Sequence, residues 1–211
     1  MLTIKIIFGI MNGDWKVKLD VIRHYDKFAK IYNTLYGYEQ ELKIREILKF
    51  LNMRKDDIVL DAGCGTGLLF NHISDSSKLI VGVDLSSIAL KIALDHIRRR
   101  RLDNVSLIRA DVDFLPFKDE VFDKVFAVTL LQNMPNPALT IREIMRVVKN
   151  RSIFIITGLK KFFSKDDFLR LLSKTVASYS LIHTDENIKC HIAICNKNIN
   201  RRIGIEMLVV K

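Results

Sequence analysis

The sequence predicts a single α/β domain whose mostly parallel sheet carries helices on both faces. Three observations predict it. Short apolar runs alternate with stretches whose apolar residues recur every three or four positions, the order of elements that builds βαβ units. The first such run, Ile58 to Ala62, ends in a glycine turn, Gly63-Cys64-Gly65-Thr66-Gly67. The length of 211 residues suffices for one well-buried domain and is short for two.

The opening MLTIKIIFGI has an apolar stretch of about seven residues, well short of the roughly 20 of a membrane helix. No small-residue cleavage site follows it. It reads as a pairing strand, or as a leader upstream of a start at Met11. Residues 16–52 read as helical, with Val17, Val21, Tyr25, Phe28 and Ala29 on one stripe. Leu42, Ile44, Ile47, Leu48 and Leu51 form a second stripe, and Gly37 is the expected break between the two. Ile58 to Ala62 is too short for a helix and suits a buried parallel strand.

The alternation then repeats. KLIVGVDLS (78–86) is a second strand, and Ser86 caps the helix SIALKIALDHIRRRR that follows. NVSLIRAD (104–111) is a third strand and VFDKVFAVTLL (121–131) a fourth. NPALTIREIMRVVKN (136–150) is a helix with Pro137 in its first turn. RSIFIITGL is a fifth strand, SKDDFLRLLSKTV a helix, and YSLIHT and HIAICN a closing strand pair. NINRRIGIEMLVVK (198–211) is strand-like and has no place in this scheme.

Net charge is +10 and the pI near 9.6, which favours an anionic partner such as RNA. Three cysteines, Cys64, Cys190 and Cys195, make neither a disulfide framework nor a metal knuckle and read as small buried side chains in a reducing, cytoplasmic protein. His24, His96, His183 and His191 have no partner legible from sequence.

In an open α/β sheet, ligands sit beyond the carboxyl ends of the strands, where the glycine turn lies. A dinucleotide site wants G-x-G-x-x-G, but its third glycine would here be Leu68. Asp61 stands two residues before the first glycine, where a carboxylate repels pyrophosphate and suits an ammonium. S-adenosylmethionine carries an ammonium and no phosphate. Asp84, 23 positions after Asp61, is placed to accept from two ribose hydroxyls. Asp111 ends the third strand, where it can accept from the adenine amino group while the Val112 N–H faces a ring nitrogen.

These residues resemble the class I, Rossmann-like S-adenosylmethionine-dependent methyltransferases over roughly residues 20–196. VLDAGCGTG, GVDLS, RADVDFLPF and FDKVFAVTLLQNMPNP are similar to the family's successive motifs. REIMRVVKN is similar to a helix end of the family, with Asn150-Arg151-Ser152 replacing the usual Pro-Gly-Gly. The resemblance implies a seven-stranded sheet ordered 3-2-1-4-5-7-6 with the last strand antiparallel. It implies that Asp61, Gly63 and Gly65 hold the methionine part, Asp84 the ribose, and Asp111 with Val112 the adenine. Cys64, Gly67, Leu85 and Val128 fall beside the cofactor on the same motifs. HYDKFAKIYNTLYG resembles the segment that folds over the cofactor in the lipoquinone-type branch, making Tyr25 and Tyr32 candidates to shield the sulfonium. The expected division is therefore 1–52 as leader and covering helices, 53–200 as the methyltransferase domain, and 201–211 as a tail.

Transfer from a sulfonium is an in-line displacement on an activated carbon, yielding S-adenosylhomocysteine, and needs positioning and water exclusion rather than metal. Val128-Thr129-Leu130-Leu131 does not fit the Asn-Pro-Pro-Tyr of amino-group methylases. Gln132 and Asn133 fall on the substrate side, with Asn133 and Tyr32 the candidate catalytic groups. Arg98 to Arg101 end a helix on the far edge, complementing its dipole. Lys160 and Lys161, with Lys27 and Lys30, are expected at the ligand edge as contacts for an anionic substrate. YDKFAKIYNTLYGYEQELK, AVTLLQNMPNP and HIAIC are also similar to archaeal methyltransferases associated with a small zinc-binding activator, which would add at the edge strand 104–111. The leading expectation is methylation of RNA or the translation apparatus. The alternatives are a lipoquinone-type small acceptor and a non-catalytic scaffold that binds S-adenosylmethionine.

Overall fold

The computed structural model describes residues 12–184 and 186–197; MLTIKIIFGI and residues 198–211, with the expectations made for them, lie outside the described residues. Two helices come first, α1 (Asn12–Phe28) and α2 (Tyr32–Leu48). They are followed by β1 (Ile58–Ala62), α3 (Phe70–Ile73), β2 (Leu79–Asp84), α4 (Ser87–Arg100) and β3 (Val105–Arg109). Then come β4 (Phe122–Ala127), α5 (Pro137–Val147), β5 (Val148–Leu159), α6 (Lys165–Thr175), β6 (Ser178–Ile182) and β7 (Cys190–Asn196). The strands form one seven-stranded sheet ordered β3-β2-β1-β4-β5-β7-β6. β7 runs antiparallel to both β5 and β6, and the fold class is the expected one.

Alternation along the strands sends side chains to two cores. Leu60, Val125, Phe154 and Ile156 pack on α5 and α6 through Ile141, Ile144, Phe168 and Leu172. Val59, Ile80, Phe126 and Ile155 pack on α2, α3 and α4 through Ile44, Ile47, Phe70 and Ala93. Cys64, Cys190 and Cys195 are free and buried. No helix among the described residues is long and apolar enough to cross a membrane.

Several boundaries differ from the sequence reading: β3 ends at Arg109, leaving Asp111 in the turn beyond it, and α2 ends at Leu48 rather than 52. The break between the first helices falls at 29–31, and Gly37 lies inside α2. An interior glycine costs only about 1 kcal/mol, which the buried Gln40, Lys43, Ile44 and Ile47 of the same helix outweigh. Residues 148–150 begin β5 rather than ending α5, because Val148 pairs with Phe122 across a register shift. β4 ends at Ala127, and Val128-Thr129 turn away from the sheet because Thr129 takes a left-handed φ of 59°.

At the amino ends of the strands, opposite the glycine turn, Lys124 of β4 donates to the Asp57 carboxylate. Both side chains are buried, at 8% and 6% exposure. Asp57 also accepts from the Arg54 N–H at 2.8 Å, so its oxygens are shared between the pair and the loop that leads into β1.

Candidate functional site

Beyond the carboxyl ends of β1–β4 lies a crevice of about 1170 Å³, counting its open mouth. β1 delivers its floor. The N–H groups of Gly63 and Cys64 both donate to the Val83 carbonyl, at 2.8 and 2.9 Å, which folds the turn back against β2. Gly63, Gly65 and Gly67 all have positive φ, a region that favours glycine. A Cβ at Gly67 would lie 2.4 Å from the Phe70 ring, whereas one at Gly65 would meet nothing within 4 Å. Gly67 is thus a packing requirement, and Gly65 leaves its backbone open to a ligand.

Asp61 lines the crevice and is 4% exposed. Burial first, and then the neighbouring Asp84, push its carboxyl up to about 8. Such a group is satisfied by a cation brought from outside. Asp84 is raised by burial too, but the N–H groups of Ser86 and Gly65 oppose the shift, bonding its oxygens at 2.8 and 2.9 Å. The Ser86 hydroxyl caps α4 by accepting from the Ala89 N–H at 3.0 Å and donates to Asp26 of α1. Asp111 caps a 3₁₀ turn (Val112–Phe114), accepting from the Asp113 N–H at 3.0 Å. Its carboxylate also receives Lys18 of α1, at 2.9 and 2.7 Å.

α1 and α2 roof the crevice with Val21, Ile22, Tyr25, Ala29, Tyr32, Gln40 and Ile44. At the end nearest β4 the strained Thr129 is held from every side. Its N–H donates to Thr157 Oγ1 at 2.7 Å, and its carbonyl accepts from Gln132 Nε2 at 2.7 Å and Asn133 Nδ2 at 3.3 Å. Its hydroxyl accepts from Lys43 Nζ at 2.8 Å and donates to Gln40 Oε1 at 3.1 Å. Strain maintained by so many bonds is characteristic of functional sites. Lys43 is fully buried and bonds Glu39 and Gln40 as well, at 3.2 Å each. Because an ammonium only donates, it takes Gln40 Oε1 and turns Gln40 Nε2 toward Tyr32 Oη, at 3.3 Å. Burial, followed by the neighbouring Tyr25, raises the Tyr32 phenol above its ordinary range, so it stays protonated and has a hydrogen to give. Asn133 Nδ2 bonds Tyr25 Oη at 3.1 Å.

Of the residues singled out in the sequence, Tyr25, Tyr32, Asp61, Gly63, Cys64, Gly65, Asp84, Leu85, Asp111, Val112, Val128 and Asn133 come together around this crevice. Gly67, Gln132, Lys160 and Lys161 do not line it. Gly67 is turned against Phe70, Gln132 serves the Thr129 carbonyl, and Lys160 Nζ donates to the Ile188 carbonyl at 2.8 Å. Lys30 lies with Asp95, Arg98 and Arg99 in a separate shallow groove. Lys18, Gln40, Lys43 and Thr129 are the residues sequence reasoning missed. For the three on helices the signal was spacing: Lys18, Ile22 and Tyr25 share one face of α1, as Gln40, Lys43, Ile44 and Ile47 share one of α2, whereas Thr129, in the turn after β4, had none.

The donor set fits S-adenosylmethionine. A buried carboxyl, Asp61, with no cation paired to it among the described residues suits its ammonium, the open backbone at Gly65 admits a ligand, and Asp84 is braced by two N–H groups beside them. Residues 53–202 match the family described as a methyltransferase domain. An uncharacterised protein of Methanocaldococcus jannaschii, MJ1252, is 35% identical over 141 residues, or 66% of this chain and 52% of that protein. A demethylmenaquinone methyltransferase of Geobacillus is 31% identical over 134 residues, or 61% of this chain and 55% of that protein. The chain thus spans about half the length of these curated relatives. Among solved structures, a Methanococcus maripaludis protein assigned provisionally to the S-adenosyl-L-methionine-dependent methyltransferases superposes with a TM-score of 0.72 at 20% identity, covering 86% of this chain and 95% of that one. A chain from the complex of the Haloferax volcanii Trm112 methyltransferase activator gives 0.70 at 14% identity, covering 84% and 97%. At these identities the superpositions speak for the fold.

Proposed function

The chain belongs to this methyltransferase-domain family, with S-adenosylmethionine as its cofactor, and from that premise we propose that it methylates a small, planar, largely apolar acceptor. One observation carries the choice of acceptor: the end of the crevice nearest β4 is roofed by α1 and α2 and walled by Tyr25, Tyr32, Ile44, Leu130 and Met134. A crevice walled by two tyrosines and apolar side chains suits a ring better than a polynucleotide backbone. The same two helices and their flanks expose Trp15, Val17, Phe28, Ile31, Leu35, Tyr36, Tyr38 and Phe50, interspersed with exposed Lys16, Arg23, Lys27, Lys30, Arg45 and Lys49.

In this reading Asp61 takes the ammonium, Asp84 the ribose hydroxyls, and Asp111 with the Val112 N–H the adenine edge. When bound, the cofactor supplies an activated methyl carbon on a sulfonium. Tyr25 and Tyr32 close over that region and exclude water. Lys43 and Gln40 leave the Tyr32 hydroxyl free to donate to an acceptor oxygen, and Asn133 is held by Thr129. The carboxylates that line the crevice are Asp61, Asp84 and Asp111, and no imidazole lines it among the described residues. All three acids are engaged on the cofactor side, so the acceptor has to arrive with its own nucleophile, as an ionised phenol or enol does. Lys160 and Lys161 are then rim residues rather than substrate ligands. The covering role of residues 1–52 and the limits 53–200 for the catalytic domain belong to the same proposal.

A second reading, methylation of RNA or the translation apparatus with an activator subunit, is favoured by β3. It is an edge strand that pairs with β2, and such an edge can be extended by another chain. The groove holding Lys30, Arg98 and Arg99 adds cations near the surface. Radiolabelled methyl transfer separates the two. Label that moves to an organic phase from a panel of hydroxylated naphthoquinols and phenols supports the first. Label in acid-precipitable RNA, appearing only with the activator present, replaces it with the second. In either case Asp84→Ala is expected to weaken S-adenosylhomocysteine binding at least tenfold by calorimetry, about 1.4 kcal/mol. Unchanged affinity would remove Asp84 from the ribose role.

A further inference from the structure

The carboxylate assigned above to the adenine amino group already carries a ligand from the protein itself. Lys18 is 5% exposed, and its Nζ reaches Asp111 Oδ1 and Oδ2 at 2.9 and 2.7 Å and Asp113 Oδ2 at 2.6 Å. The two acids are not equivalent. Asp111 faces the crevice and is 11% exposed. Asp113 is 3% exposed and anchored from behind, its Oδ1 accepting from Thr140 Oγ1 at 2.5 Å. Resting on this reading of the cofactor site, we propose that Lys18 is a ligand-displaced latch: it holds Asp111 until the adenine amino group takes that carboxylate, and then stays on Asp113.

The argument is one of hydrogen-bond capacity and charge. An ammonium has three N–H groups and accepts nothing, so it can bond two carboxylates at once and give one up while keeping a bond. A buried cation stripped of every partner is strongly destabilised. Asp113 removes that cost, because the exchange at Asp111 leaves Lys18 paired. The latch also sets how α1 sits. The helix is tied across the crevice at three points: Lys18 to the turn after β3, Asp26 to the Ser86 cap of α4, and Tyr25 to Asn133 in the 3₁₀ turn that follows β4. Release at Asp111 loosens the first tie and leaves the other two, so the covering helix yields at one end.

The test is a double-mutant cycle of Lys18→Met and Asp113→Asn, with S-adenosylhomocysteine and, separately, adenosine as probes. Affinity is read by calorimetry and helix position by fluorescence of Trp15, the chain's only tryptophan and three residues before Lys18 on α1. Lys18→Met is expected to bind both probes at least threefold more tightly, since nothing then competes for Asp111. Asp113→Asn is expected to weaken both at least tenfold, since Lys18 is left with Asp111 alone. In the double variant that loss disappears, and affinity returns to the level of Lys18→Met. Wild-type Trp15 emission changes on binding, and the change shrinks in Lys18→Met. Should Lys18→Met not fold, Lys18→Gln takes its place in the cycle. If wild type binds the probes but the two substitutions act additively, or Lys18→Met weakens binding, the latch is wrong and the cofactor site stands. A folded wild type that binds neither probe overturns the cofactor reading and the latch with it.

Discussion

Asp61→Asn is expected to lose S-adenosylmethionine binding by at least 100-fold, about 3 kcal/mol, and at the same time to raise the melting temperature of the protein at alkaline pH. Both follow from one carboxyl. Burial and then Asp84 push it up to about 8, well above its unfolded value near 4. A group raised in this way stabilises the fold fully below its unfolded pKa, and the contribution is lost as pH climbs through 8. The amide of the variant does not ionise, so Asp61→Asn gains on wild type at pH 9 and matches it near pH 5. In a chain of this size each kcal/mol is worth roughly 2–4 °C. Binding carries the opposite sign. The ligand ammonium needs the carboxylate, so below pH 8 wild type releases a proton on binding, and its affinity falls by up to about tenfold per pH unit. Calorimetry in buffers of different ionisation enthalpy counts that proton, and thermal melts at pH 5 and 9 read the gap. Equal gaps at both pH values would mean that the carboxyl titrates in its ordinary range, and an Asp61→Asn variant that binds normally would remove Asp61 from the ammonium site.

Asp57→Ala is expected to destabilise the fold by roughly 3–5 kcal/mol in urea unfolding, the usual cost of removing one member of a buried ion pair. Lys124 would remain on β4 with 8% exposure and no carboxylate in place of Asp57, and the Arg54 N–H would lose its acceptor. A well-packed apolar replacement of both partners is often neutral, so Asp57→Leu combined with Lys124→Met should recover most of the loss. Because the pair sits at the opposite ends of the strands from the crevice, the folded variants should bind S-adenosylhomocysteine as wild type does. A loss below 1 kcal/mol for Asp57→Ala would mean that water reaches Lys124.

The sheet and the cofactor end of the site were legible because each part has a local signature. β1 spans Ile58–Ala62, the limits set by its apolar run and the glycine turn. The cap Ser86 accepts from Ala89 as its position suggests, and Pro137 stands in the first turn of α5. Asp61, Asp84 and Asp111 were readable because each lies at or just past the carboxyl end of a strand. What escaped was long-range. Lys18 and Lys43 were passed over, since their partners Asp111 and Thr129 lie 93 and 86 positions away. Lys160 was expected to meet substrate, but its side chain turns to the Ile188 carbonyl in the segment that leads into β7. Gly37 failed as a helix break because local propensity is weak beside the packing of the next three turns.

The order β5-β7-β6 has a consequence for how the chain is made. β5 pairs with β7 through seven residues, Ile153 to Leu159 against Asn196 to Cys190, so while synthesis has passed Leu159 but not reached Cys190, that side of β5 has no partner. β6 emerges earlier and cannot substitute, because its own place is on the far side of β7. Phe154, Ile155 and Ile156, wholly buried in the finished sheet, therefore wait on the ribosome with an open row of backbone donors and acceptors, a template for association with other chains. A nascent chain stalled or cut between 160 and 189 would be the aggregation-prone species, and the last hairpin is the step that makes the newborn molecule safe.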